Sequence, residues 1–363
     1  MRLKSLQINA FRNLKKVELS FDPDQSVFSL VGPNGQGKTN VLEAIFLLAI
    51  SKSFRTRENE DLINFEWDYC AIKGVVEKGE DATELDMVVT RQPLKKTLKV
   101  NGVQKKAVDY IGNLNVVFFS PDDIGMIHLA PGVRRRYLDL LLSQLDHEYL
   151  EDSLKYQHAL KQRNSLLKQI INSGADESEL DFWDDQLADF GLKIMNKRKM
   201  VVDELNDYAS GFYKDVSDND DDLKIEYFPK LQLEDPESIK KTLGKNRSRD
   251  IAIGSTQLGP HRDDLIFLCN GHDMSSFASR GEWRSLVLTL KFAEIDLLKK
   301  KKGFYPILLL DDVFSELDEN RQKYLFNMIK NTQTFITTTH SEFLDVIEGS
   351  NQIYKVKNGE IGI

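Results

Sequence analysis

Apolar and polar residues alternate over residues 3–11 and again over 16–21, the period of two expected of half-buried strands. Residues 26–31 read as a short apolar strand, and 32–39 as a glycine-rich loop. Over 40–50 the apolar positions Val41, Leu42, Ile45, Phe46, Leu48 and Ala49 change to helical spacing. Strands are predicted at 69–76, 85–91 and 114–119, and Asn101-Gly102 supplies a type I′ hairpin turn. Beyond Ser120-Pro121 the strand signal fades. Leu138, Leu141, Leu142 and Leu145, then Leu160, Leu166, Leu167 and Ile170, recur at helical spacing. After a turn at Gly174 the helical pattern continues over 180–205, and an acidic loop at 215–222 closes it. A strand at 223–228 and a helix at 235–243, opened by Asp235-Pro236, follow.

The last third is regular. A hairpin around Asn270-Gly271, a helix over 281–300 and a fully apolar strand at 306–310 are succeeded by a helix at 317–330 and a strand at 334–338. A final hairpin at 353–363 turns at Asn358-Gly359. Strands alternating with helices predict an α/β fold with a mostly parallel sheet, the hairpins adding antiparallel strands to it. Three segments emerge: 1–121, a mainly helical insertion at 122–243, and 244–363.

Composition adds exclusions. The first residues carry charge too early for a signal peptide, and no stretch is long and apolar enough to span a bilayer. The two cysteines, Cys70 and Cys269, sit in apolar strand patterns and read as free buried thiols of a cytoplasmic protein. The six histidines show no clustered ligand spacing. A net charge of −8 argues against a constitutively nucleic-acid-coated surface, so any DNA contact must use a local patch or a surface made by dimerisation.

Chemistry concentrates in five segments. Gly32-Pro33-Asn34-Gly35-Gln36-Gly37-Lys38-Thr39 satisfies G-x-x-x-x-G-K-[ST] between a predicted strand and a predicted helix, the context of a P-loop. Its backbone N–H groups would cradle phosphates, with Lys38 reaching the β- and γ-phosphates of ATP and Thr39 placing its hydroxyl on Mg²⁺. The strand ending in Asp311-Asp312 has the Walker B pattern, Asp311 on the metal side and Asp312 placed to orient or deprotonate the attacking water. Acids at a strand end also cap helices, so this assignment leans on the P-loop. Between the two motifs lies a large insertion, and Ala278-Ser279-Arg280-Gly281-Glu282 stands just before Walker B at a helix start. That arrangement resembles an ABC-type ATPase, in which Ser279 and Gly281 would bind the γ-phosphate held by the opposite subunit; Ser279 as a plain N-cap is the alternative. Ser315-Glu316-Leu317-Asp318 occupies the D-loop place and His340 that of a switch histidine, although Glu316 also fits a capping box and His340 a surface histidine. The fold expected is an ABC-type P-loop ATPase head, a mixed sheet with flanking helices, plus an inserted helical lobe.

Along its whole length the chain resembles the RecF family of bacterial recombination-repair proteins. The stretches that carry the resemblance include 6–14, 40–45, Lys52-Ser53-Phe54-Arg55, Phe119-Ser120-Pro121-Asp122-Asp123, Arg134-Arg135-Arg136-Tyr137-Leu138-Asp139, Lys161-Gln162-Arg163-Asn164, Gly259-Pro260-His261-Arg262-Asp263-Asp264 and 310–318. Trp283 departs from the small or amide residue expected after Glu282. The resemblance implies an SMC-like head without a long coiled coil, an ATP-dependent homodimer, slow ATP hydrolysis, ATP-dependent DNA binding, and work with RecR and RecO toward RecA loading and SOS induction. Residue chemistry says less about DNA. Arg134, Arg135 and Arg136 open a helix against its dipole, which favours an anionic partner or pairing with acids such as Asp139. Arg55 and Arg57 follow the P-loop helix, where related heads place an arginine near ATP and DNA. The other readings are a nucleotide-dependent protein scaffold without direct DNA binding, and a transporter engine, against which the 119–123 stretch lacks the glutamine such engines carry there.

Overall fold

The computed structural model describes residues 1–217, 220–232, 234–339 and 351–362. In chain order they form β1 (Arg2–Phe11), β2 (Leu14–Ser20), β3 (Val27–Val31), α1 (Lys38–Ile50), β4 (Tyr69–Lys78), β5 (Asp81–Arg91), β6 (Leu94–Val100), β7 (Val103–Lys105), α2 (Ala107–Tyr110) and β8 (Val116–Phe119). Next come α3 (Gly125–His128), α4 (Pro131–Leu145), α5 (His147–Ser173), α6 (Leu180–Ser217), β9 (Leu223–Phe228), α7 (Pro236–Lys245), α8 (Arg247–Ile253), β10 (Asp264–Cys269), β11 (His272–Asp273) and α9 (Met274–Phe277). The chain ends with α10 (Arg280–Lys302), β12 (Ile307–Asp311), α11 (Glu319–Ile329), β13 (Thr334–Thr338), β14 (Asn351–Lys357) and β15 (Glu360–Gly362).

Two compact units result. The first comprises Met1–Ile124, Phe212–Asn219 and Arg280–Ile363; the second comprises Gly125–Gly211 and Asp220–Ser279. Residues 244–279 thus group with the insertion rather than with the C-terminal part of the ATPase lobe. Long-range pairing is the reason: β10 lies antiparallel to β9, and Asp250 and Asp264 are bound by arginines of α5 and α4. The insertion is therefore helices plus a small antiparallel sheet, in the order β11-β10-β9.

The first unit holds two sheets. One is antiparallel, β2-β1-β4-β5-β6-β7; the other is mixed, β15-β14-β3-β13-β12-β8, with only the β14–β15 pair antiparallel. The hairpins at 69–105 thus join β1 and β2 in a separate antiparallel sheet instead of extending the parallel one. Helix α1 touches strands of both sheets, and its residues are buried on nearly every face. This accounts for a helix that is apolar all round rather than striped. Phe21, Phe28, Phe335 and Tyr354 form an aromatic cluster on the mixed sheet, with Phe21 edge-on to Phe28 and Phe335 at 4.9 and 4.8 Å between centroids. The buried Gln333 amide exchanges two hydrogen bonds with the Leu3 backbone, at 2.6 and 2.9 Å, and joins the two sheets. Both cysteines are buried, and burial pushes the Cys70 thiol up to about 12. Among the described residues no helix is long and apolar enough to cross a membrane.

Polar groups are buried in both units. In the second, the fully buried Arg163 donates to Asp184 and Asp250 at 2.7 Å each and to Thr256 Oγ1 at 2.8 Å. Removing one member of such a set strands the others. Arg163→Ala is expected to lower the stability of the second unit by about 3–5 kcal/mol, read by urea denaturation; a loss under about 1 kcal/mol refutes this structural role.

In the first unit, burial drives the Glu294 carboxyl up to about 7, with Lys291 opposing and Asp123 reinforcing the shift. The folded state keeps a proton that the unfolded chain releases, so this group withdraws stability as pH rises from about 4.5 to about 7. Glu294→Gln is expected to remove that slope. Relative to the parent chain, the variant gains up to about 3 kcal/mol between pH 5 and pH 8, and parallel denaturation curves at the two pH values test it.

Candidate nucleotide site

The loop 32–37 leaves the C-terminal end of β3 and enters α1 at its first residue, Lys38. Sites of open α/β sheets lie at such strand ends. Lys38 Nζ donates to the carbonyls of Gly32 and Pro33, at 2.6 and 2.9 Å, and so lies folded over the loop. Burial lowers its pKa, while the carboxylates of Asp312 and Asp311 raise it. The terminal hairpin packs on this loop: Asn358 N donates to Gln36 Oε1 at 2.6 Å and Gly359 N to Gln36 O at 3.0 Å. A Cβ on Gly32 would overlap the Val356 carbonyl, and one on Gly359 the Asn13 carbonyl. Both glycines are required by close backbone approach.

Strand β13 lies between β3 and β12, and its Thr337 does the joining. Asp311 Oδ1, at the end of β12, accepts from Thr39 Oγ1 at 2.8 Å and from Thr337 Oγ1 at 2.6 Å. The next residue, Asp312, has φ 53°, a conformation that a non-glycine residue holds only where its surroundings impose it. Its N–H donates to Thr337 O and Oγ1, both at 3.1 Å, and its carbonyl accepts from Ser315 Oγ at 2.8 Å. Lys38, Thr39, Asp311 and Asp312 thus meet at one end of one sheet. In the sequence Thr337 is only one residue of the strand predicted at 334–338. His340 itself lies outside the described residues.

A second polar group supports the loop. Glu43, fully buried on α1, accepts two hydrogen bonds from Arg12, at 3.1 and 2.8 Å, and one from Ser53 Oγ at 2.5 Å. Arg55 lies 3.6 Å from the same carboxylate and donates to Asn40 Oδ1 at 2.7 Å. Asn40 donates to Asn13 Oδ1 at 2.6 Å, and Asn13 reaches Gly35 O at 3.5 Å. The polar Asn40 and Glu43 within apolar helical spacing are the sequence signal for this network.

The remaining predicted residues are dispersed. Gly281 lies in the first turn of α10 in the first unit, while Ser279 closes the second unit. The segment 315–318 forms a 3-10 turn and the cap of α11, with Asp318 accepting from Arg321 N at 3.0 Å. Arg57 is exposed and Arg55 half-exposed. Arg134 departs from its assignment as a DNA contact. It is buried, pairs with Asp264 at 2.7 and 2.9 Å, and donates to the carbonyls of Met126, Ile127 and Leu129. Arg135 donates to Asp263 O at 2.7 Å, and Arg136 is exposed. Asp139, the acid expected to pair with this run, instead binds Arg198 at 2.7 Å.

The family model described as RecF/RecN/SMC N terminal domain matches residues 2–362. A DNA replication and repair protein RecF of Streptococcus pneumoniae is 40% identical over 369 residues, covering 100% of this chain and 99% of the relative. The chain belongs to the RecF family. A DNA replication and repair protein RecF of Staphylococcus carnosus is 39% identical over 372 residues, covering 99% of this chain and 100% of the relative. The solved structure of the recombination mediator protein RecF with ATPrS, from the RecFOR pathway, superposes with a TM-score of 0.90 at 35% identity, over 99% of this chain and 97% of that one. A Pyrococcus furiosus Smc head domain, at 17% identity and a TM-score of 0.55 over 99% of this chain and 94% of that one, shares the fold. The RecF-family fold is thus an ABC-type ATPase head, as the motif order anticipated.

The two hairpin turns Asn101-Gly102 and Asn358-Gly359 separate conformation from packing. Gly102 and Gly359 have φ of 76° and 79°, but only Gly359 has neighbours where a Cβ would stand. Gly102→Ala is expected to cost about 1–2 kcal/mol through the left-handed backbone alone. Gly359→Ala adds about 1–3 kcal/mol of overlap against Asn13. Equal melting temperatures for the two variants refute the packing of this hairpin on the P-loop.

Proposed function

We propose that this chain is an ATP-dependent DNA-binding protein of recombinational repair and replication recovery. In this reading ATP closes a homodimer, the dimer binds DNA, and together with RecO and RecR it promotes RecA loading and SOS induction. The observation that carries the reading is the hydrogen-bonded meeting of Thr39 and Asp311 beside Lys38 and Asp312. Solved structures of RecF with ATP and with ATPrS support nucleotide binding.

The donor set fits Mg²⁺. A hydroxyl and a carboxylate oxygen stand together, hard donors of the kind that leave the other positions to phosphate and water. Among the described residues there is no cluster of three or more His, Cys, Asp or Glu to hold a metal without them. When bound, the ion would neutralise charge developing on the transferred phosphoryl group. The loop N–H groups and the start of α1 would bind the phosphates, Lys38 would turn from its carbonyl partners to them, and Asp312 would orient or accept the proton of the attacking water. Gly281, with Ser279, would present the start of α10 to the nucleotide of the opposite subunit. Arg55, hydrogen-bonded to Asn40 beside the loop, suits a DNA contact sensitive to nucleotide. Arg57, Arg135 and Arg136 are the other candidates, and Arg134 drops out because its guanidinium is committed to Asp264.

The test is DNA binding by fluorescence anisotropy, with and without ATP at one fixed salt concentration, alongside sizing of the protein. The parent chain is expected to dimerise and bind DNA more tightly with ATP. Lys38→Met is expected to lose ATP binding. Asp312→Asn is expected to bind ATP, accumulate as the dimer and hydrolyse at least about 100-fold more slowly. Normal turnover by Asp312→Asn overturns the catalytic assignment. A dimer that never binds DNA, even at low salt, replaces the repair clamp with a protein scaffold.

A further inference from the structure

Two arginines connect the segment after Walker B to the helix that opens with Gly281. Arg284, on the second turn of α10, donates to Glu316 Oε2 at 2.5 Å. Arg321, on α11, reaches the other way: its guanidinium donates to Ser285 Oγ at 3.0 and 2.8 Å, to Gly281 O at 3.2 Å, and to Asp318. Ser285 is fully buried. The segment between them is pinned as well. Gln322 Nε2 donates to the carbonyls of Phe314 and Leu317, at 3.0 and 2.9 Å. Ser315 ties the segment back to the Asp312 carbonyl. Two hydrogen bonds and the peptide link between Ser315 and Glu316 therefore connect the backbone of Asp312 to Arg284 on α10.

Helix capping does not account for this arrangement. The start of a helix carries partial positive charge, and cations there are unfavourable. Arg321 nevertheless lies against the first turn of α10, with Arg284 nearby. The carboxylates of Asp318 and Glu316 offset that repulsion, so all four charged groups depend on one another. Arg284 also lines a small cleft with Phe119, Pro121, Val313 and Leu317, where the end of β8, the 315–318 segment and α10 converge.

We propose that Arg284 and Arg321 are positioning residues that join the 315–318 segment and the first turn of α10 into one rigid element. The acid of a subunit's own site and the anion-binding turn it offers to the opposite subunit are then set together, so that nucleotide in one site is sensed at the other. This rests on the proposed ATP-gated dimer. The arginines touch no reacting atom in this scheme, and their effect belongs to dimer assembly and turnover rather than to ATP affinity of the single subunit.

The experiment compares R284Q, E316Q and R321M with the charge-swapped double variant R284E/E316R in the full chain. Three quantities are read: affinity for a fluorescent ATP analogue at protein concentrations too low for dimers, ATP-dependent dimer formation by sizing, and kcat with KM for ATP. Each single variant is expected to keep its melting temperature and single-subunit affinity. Each is expected to lose dimer formation and kcat by about tenfold or more, within the range of couplings between sites. The swapped double is expected to recover most of the loss. Single variants that dimerise and turn over like the parent overturn the proposal, as do variants whose single-subunit affinity falls along with their melting temperature, and a swapped double no better than R284Q. A parent chain that neither dimerises nor hydrolyses ATP overturns the dimer reading, and this inference with it.

Discussion

The burial of helix α1 between two sheets sets the terms for the rest of the first unit. A helix covered on every face has no side on which to carry polar groups cheaply, yet a phosphate-binding loop needs its following helix to start with lysine and threonine. The conflict is confined to one end. Lys38 and Thr39 occupy the N-terminal turn, where their head groups meet Gly32, Pro33 and Asp311, and from Val41 to Ile50 the helix is apolar except for Glu43. That one carboxylate must then be matched, and Arg12, Ser53 and Arg55 match it. Arg12 sits just beyond β1 with φ 54°, so the first strand and the P-loop helix are locked by charge as well as by packing.

The Asp311 carboxylate is the second fixed point, and it depends on the first. Thr39 is placed by the start of α1, and Thr337 by the parallel register that sets it opposite Asp311. Only the strand order β3-β13-β12 lets a hydroxyl from the middle strand and one from the P-loop helix converge on one oxygen. The strained backbone at Asp312 follows directly: the chain must turn sharply to leave β12 while its N–H stays on Thr337. The same turn releases Ser315 and Glu316 toward α10.

Much of this is legible in the sequence. The glycine-lysine-threonine run, the apolar strand ending in two acids, and helical spacing over 40–50 are local signals, and local periodicity reports them well. The Asn-Gly turns were legible for the same reason, since Asn101, Asn270 and Asn358 and the glycines after them adopt the positive φ that the pair favours. What escaped was set by partners distant in sequence. Alternation at 69–105 reveals a half-buried strand but not which sheet it joins. Asn13, Asn40 and Thr337 look like ordinary polar residues until the fold places them beside the loop. The insertion runs past 243 to Ser279 because β10 pairs with β9, and two strands separated by two helices carry no local mark that they pair.

The arginine run at 134–136 shows how far charge can be read from a sequence. A cation at a helix start suggests an external anion, but the chain can supply that anion itself. Arg134 takes Asp264, Arg163 takes Asp184 and Asp250, and Arg198 takes Asp139. These contacts engage three arginines with four aspartates, so they leave the net charge of −8 unaltered while depleting the arginines available to a phosphate backbone. Net charge therefore neither supports nor opposes DNA binding here. The candidates left are the exposed Arg57 and Arg136 and the half-exposed Arg55, with Arg135 intermediate. Arg55 is linked through Asn40 and Asn13 to the phosphate loop, so in the proposed scheme nucleotide and DNA would act on the same side chain there.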